Sequence, residues 1–159
     1  MKKLKAFVVL SVIFITQFVN TQVVSAHCEI PCGIYEDSLR ISLLSEHITT
    51  IEKSINMINE LSKEAKPNYN QIVRWVVNKE EHSNKIQEIV SQYFLHQRVK
   101  ITDSSDKEAY AKYINQLATL HKISVYAMKA KQNTDLIYIE KLRSSLAAFE
   151  KIYFHTHEH

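Results

Sequence analysis

The chain has 159 residues, 45% of them hydrophobic, with 20 basic and 17 acidic side chains. One glycine and two prolines leave no material for a glycine-rich phosphate loop or for the many tight turns of a strand-rich fold. There is also no Ser-His-Asp set and no patch that interleaves basic and aromatic residues, so the chain is read as a single helical domain without a nucleic-acid partner.

Residues 1–26 open the chain. Lys2, Lys3 and Lys5 precede an apolar run over residues 6–15, and a more polar stretch then ends in Val24-Ser25-Ala26. This is the three-part layout of a secretory signal peptide with small residues before the cut, and the apolar core is shorter than the roughly 20 residues of a spanning helix. A lipoprotein signal would need a small residue directly before Cys28, where His27 stands. Cleavage is expected after Ala26, with no membrane association afterwards and a periplasmic or secreted location. Three lysines leave with the leader, so residues 27–159 carry 17 charges of each sign. The formal surplus of +3 therefore says nothing about anionic partners. The cut also makes His27 the N-terminus.

Residues 27–35 read HCEIPCGIY and contain both cysteines and the only glycine. With His27 terminal, the first two residues offer an amine, an imidazole, an amide nitrogen and a thiolate, and Cys32 adds a second thiolate. Pro31 and Gly33 can fold the chain so that this sulfur joins the other donors. Two nitrogens and two thiolates in a plane suit nickel(II) or copper(II) better than tetrahedral zinc, and the thiolates lower the potential at which the ion gives up an electron. Three other readings stand beside a redox metal. A disulfide is the default in an oxidising compartment, although so short a loop constrains little. A thiol-redox pair would more commonly be spaced Cys-x-x-Cys, and a structural zinc site could use the same thiols.

From residue 36 onward the spacing predicts four helices. Ile41, Leu44, Ile48, Ile51, Ile55 and Ile58 recur at gaps of three and four, one stripe on a helix of about 25 residues. Pro67-Asn68 ends that segment and caps the next. The second stripe runs Tyr69, Ile72, Val73, Val76, then Ile86, Val90, Tyr93 and Phe94, with polar Lys79, Glu80 and Ser83 between. Residues 102–106 form a loop, and Ser105 with Glu108 has capping-box spacing. Tyr110, Tyr113, Leu117, Leu120, Ser124 and Met128 mark a third stripe. Leu136, Ile139, Leu142, Leu146, Phe149 and Tyr153 mark a fourth after the turn at residues 132–135. Short connections between long helices predict an all-α, up-down-up-down four-helix bundle carrying an N-terminal metal-binding hook. The expected organisation is a cleaved leader over 1–26, the hook over 27–35 and the bundle over 36–159, hook and bundle forming one domain. Tyr69, Trp75, Tyr93, Tyr126, Tyr138 and Tyr153 are amphipathic and suit subunit contacts or the core.

The stretch His27-Cys28-Glu29-Ile30-Pro31-Cys32-Gly33-Ile34-Tyr35 resembles the N-terminal hook of nickel superoxide dismutases, His-Cys-x-x-Pro-Cys-Gly-x-Tyr, at all six specified positions. A Lys79-Glu80 stretch in the second helix and the mature length are similar to the family as well. The resemblance implies a four-helix bundle assembled into a homohexamer, with one nickel ion per subunit and superoxide as substrate. It implies that His27 supplies its amine and, in the oxidised state, its imidazole, that Cys28 supplies amide and thiolate, and that Cys32 supplies the second thiolate. Pro31 and Gly33 would shape the loop, and Tyr35 would stand over the open face. An exported nickel- or copper-binding or metal-delivery protein without turnover is the alternative.

Two departures from the family pattern accompany the resemblance. Well-known members have a leader removed in the cytoplasm, whereas this one has the layout of an export signal. Such members hold the axial imidazole with a carboxylate and an arginine; here His82 aligns with the arginine, and the carboxylate has no counterpart near Ser42 and Leu43. Arg74 and His82, two turns apart, are the candidates for meeting the hook from one side. Glu46-His47 and His121 are read as structural, and the tail His155, His157 and His159 as a frayed polar end.

Overall fold

The structure is a computed structural model, and it describes residues 36–154. The leader, residues 27–35 of the hook and the tail histidines lie outside the described residues.

Among the described residues the only regular elements are helical: α1 (Asp37–Leu61), α2 (Tyr69–Glu88), which continues without a break as a π-helical segment (Ile89–Arg98), α3 (Lys107–Gln132) and α4 (Ile137–Phe154). Each helix packs against its neighbours in sequence, and α4 closes the ring on α1. The expected antiparallel bundle is therefore present. None of these helices is long and apolar enough to cross a membrane.

The α1 stripe is the clearest. All six of its predicted apolar positions are buried, and Leu44, Ile48, Ile51 and Ile55 are fully so. Isoleucine is a mediocre helix former because its branched Cβ stiffens χ1. Burying each such side chain contributes roughly 1.5–3 kcal/mol, which outweighs a propensity deficit of a few tenths. The α4 stripe also holds from Ile139 through Phe149, while Leu136 precedes the helix and is exposed.

Two stripes differ from expectation. On α2, Tyr69, Val73 and Val76 are exposed, and Lys79 and Ser83 face inward instead. A polar layer occupies this level of the bundle: Asn78 donates to Ser54 Oγ at 2.9 Å, and Ser83 bonds back to the Lys79 carbonyl at 2.8 Å. On α3 the inward face is Gln116, Leu120, Ile123, Ala127 and Ala130, rotated from the predicted one, so that Tyr110 and Met128 are exposed. The small Ala127 and Ala130 admit close packing, and the larger apolar residues sit on the flanks. His121 is exposed, not beside the core.

The helix ends obey capping chemistry. Asn68 Oδ1 accepts from the Gln71 amide at 3.2 Å, as the sequence suggests. The α3 cap lies one residue later than expected: Asp106 Oδ1 accepts from the Ala109 amide at 3.0 Å, and Asp103 takes the Ser105 amide at 2.7 Å. A carboxylate is the better partner for the positive end of the helix dipole. Lys79, only 4% exposed, caps the opposite end of α3 by donating to the carbonyls of Lys131 and Asn133 at 2.7 and 2.8 Å.

Candidate metal centre

The hook joins the bundle at Asp37, two residues beyond Tyr35. Asp37 begins α1, and its carboxylate gathers three donors from elsewhere. Tyr93 donates to Oδ1, while the Tyr153 hydroxyl and the Arg98 guanidinium each donate to Oδ2 at 2.7 Å. Arg40 lies over the Tyr93 ring at 4.9 Å and Arg98 at 5.9 Å. Burial by itself would raise the Asp37 pKa, but the hydrogen bonds from Arg98, Tyr93 and Tyr153 outweigh it, and the net shift is downward. In turn, burial and the Asp37 carboxylate push the Tyr93 hydroxyl up to about 12. The root of the hook is thus tied to α4 and to the end of the π-helical segment.

The π-helical winding makes that node reachable. Its backbone bonds span five residues, as when the Val99 amide donates to the Phe94 carbonyl at 2.8 Å. Residues five apart therefore face the same way, and Tyr93 and Arg98 both arrive at Asp37. An α-helical winding would turn them well apart. Phe94 stacks edge-on against Phe149 and Tyr153 at 4.9 and 5.6 Å, which seats the segment in the core.

Beside the node lies an open cavity of about 650 Å³ whose lining includes Asp37, Arg98, Lys100, Lys112, Tyr113 and Tyr153. Of the cations in this lining, Arg98 is paired with Asp37.

Arg74 is exposed. His82 is half-buried on the side of α2 facing α1, with its Nδ1 3.1 Å from His47 Nδ1 and the two rings edge-on at 4.9 Å. The sequence reading treated His47 and His82 separately, and the structure pairs them. Both imidazoles titrate below the usual histidine range, first because of burial and then because Lys85 stands nearby; His82 adds to the effect at His47. Among the described residues no group of three or more His, Cys, Asp or Glu side chains converges as a metal site. The thiolate and amine donors that would suit nickel are confined to residues 27–32, directly upstream of the anchored Asp37.

The family model for nickel-containing superoxide dismutases matches residues 22–157, which takes in the hook and the whole bundle. The chain belongs to that family. It is accordingly a nickel-containing superoxide dismutase, an oxidoreductase whose substrate is superoxide and whose cofactor is nickel. No curated protein and no solved structure matches the chain.

The two cysteines of the sequence, Cys28 and Cys32, fall within the matched residues, and soft thiolates suit a redox-active ion. What the sequence reading missed is the node at the start of α1 in this dismutase. A signal was present. Asp37 stands four residues before Ile41 on the α1 stripe, and Tyr153 four after Phe149 on the α4 stripe. An acid and a phenol in line with apolar stripes mark a polar cluster at one end of a bundle.

Proposed function

We propose that the dismutase acts as an exported enzyme whose mature chain begins at His27. Removal of residues 1–26 would free the amine and imidazole of His27, and these, with the amide and thiolate of Cys28 and the thiolate of Cys32, would hold one nickel ion per subunit. Pro31 would shape the loop between the two sulfurs, and Gly33 would permit the tight return after Cys32. Nickel, when bound there, supplies one-electron cycling between its divalent and trivalent states, which lets one centre both oxidise and reduce superoxide. The residues of the chain do the rest. Both thiolates and the deprotonated amide bring the couple into range, Tyr35 limits access and helps order the protons that peroxide needs, and Arg74 is the candidate for support from α2.

The observation that carries this reading is the placement of the HCEIPCGIY motif immediately before an α1 whose first residue is locked to two other elements. Release outside the cytoplasm, in the periplasm or beyond the cell, would set the enzyme against superoxide that does not readily cross membranes. Assembly into a homohexamer is supported by the exposed apolar positions on α2, where Tyr69 is 72% and Val73 59% exposed.

Two experiments test the proposal. Intact mass of the protein exported by its native host should correspond to residues 27–159, and retention of even one residue before His27 would remove the terminal amine and contradict the proposed site. Changing Cys28 or Cys32 to serine should abolish superoxide decay, because an alcohol is a poor soft donor. Activity that persisted in either variant would overturn the ligand assignment. Equal decay with and without nickel would favour metal delivery over catalysis.

A further inference from the structure

The paired imidazoles of His47 and His82 form the only close histidine contact among the described residues. We propose that they make a second cation site, separate from the hook, which binds a first-row divalent ion of the nickel, copper or zinc class between α1 and α2.

The geometry is the first argument. Their Nδ1 atoms stand 3.1 Å apart. Imidazole nitrogens bind such ions at about 2.0–2.1 Å, so two of them at neighbouring positions on one ion lie about 2.9–3.4 Å apart for angles between octahedral and tetrahedral. The pair already has that separation, so the two nitrogens need only small ring rotations to turn from each other towards one ion. In the metal-free state one Nδ1 must carry the proton and donate it to the other. On binding, that proton moves to or is replaced at Nε2 of the same ring, leaving both Nδ1 lone pairs for the ion with no change of net charge on the protein.

Rigidity is the second argument. His47 is followed by the fully buried Ile48 and His82 by the fully buried Ser83, so both side chains project from backbone fixed in the core. Little ordering is then left for the ion to impose. The surrounding charges are the third argument. Glu46 and Glu81 face the pair along with Lys85, and Lys85 is held by Glu81 at 2.6 Å. Burial and Lys85 together outweigh these carboxylates and keep the rings neutral, so each retains a lone pair for an ion. Among the described residues no third donor side chain converges there, so water would complete the coordination. An imidazole pair completed by water binds more weakly than the hook's thiolate set would.

The site does not rest on the reading of the hook, and the test keeps the two apart. In the chain of residues 27–159 carrying His27→Gln, Cys28→Ser and Cys32→Ser, copper(II) alone is added and its spin-resonance spectrum recorded, and zinc(II) is titrated by calorimetry. The expected result is a copper signal with coupling to two imidazole nitrogens, a rise in melting temperature with zinc as the ion ties α1 to α2, and loss of about tenfold or more in zinc affinity in His47→Gln and in His82→Gln. Circular dichroism of each glutamine variant, together with the spectrum of the unsubstituted pair, keeps the outcome independent of any folding defect. A copper signal without two-imidazole coupling, or zinc affinity unchanged by both substitutions, overturns the proposal.

Discussion

At the scale of single residues, Asp37 gathers three side-chain donors from two other elements. Replacing it with asparagine removes the charge that Arg98 and two tyrosine hydroxyls address. For a side chain only 15% exposed, this should cost about 2–3 kcal/mol. The pH dependence carries a definite sign. The folded-state pKa of Asp37 is depressed, so its contribution is complete above the unfolded value near 4 and disappears as pH falls through the folded value. Melting temperatures of the unsubstituted chain and Asp37→Asn should therefore differ at pH 6 and converge towards pH 3. A constant gap would show that the carboxylate's charge is not what holds the node. The lowered pKa values of His47 and His82 add a second window with the same sign. Stability from keeping these rings neutral is complete above about 6.5 and declines as pH falls below it. A His47→Gln, His82→Gln variant should flatten the melting curve between pH 7 and 5.

At the scale of elements, the π-helical segment is the feature that composition and periodicity could not reveal. Tyr93 and Phe94 fit an α-helical stripe as well as a π-helical one, and only the long-range pairing of Arg98 with Asp37 favours the wider winding. Deleting the exposed His96 should return the segment towards α-helical register and carry Arg98 away from Asp37. The acid sensitivity assigned to Asp37 should then shrink, which the same pH series would show. The other helices explain why legibility varied. Large isoleucines on α1 left one answer, whereas α3 puts alanines inward and tyrosines on the flanks, so hydrophobicity alone selected the wrong face. On α2 the inward Lys79 was readable only as a polar gap, because its partners are carbonyls 52 and 54 residues away. Lys79→Met keeps the aliphatic stem but leaves those carbonyls without their donor, and should destabilise the bundle by about 2–3 kcal/mol in chemical denaturation. An unchanged midpoint would show that the α3 end is satisfied without it.

At the scale of the whole molecule, the HCEIPCGIY motif made the family legible in nine residues, while the helical stripes made the bundle legible. The proposed assembly has its own test. Tyr69, Val73, Val76 and Val77 form an apolar face on α2 that no other described element covers. Val73→Glu with Val77→Glu should shift sedimentation from hexamer to smaller species without disturbing the helical content of the chain. A chain that sediments only as monomer at micromolar concentration before any substitution would remove the assembly. The central claim is that nickel held by a free His27 terminus performs the dismutation. The most direct measurement is the decay of superoxide by nickel-loaded protein of residues 27–159, beside the same chain bearing one extra residue ahead of His27. The account predicts fast, nickel-dependent decay from the first and near-background decay from the second. Comparable decay from both would contradict it.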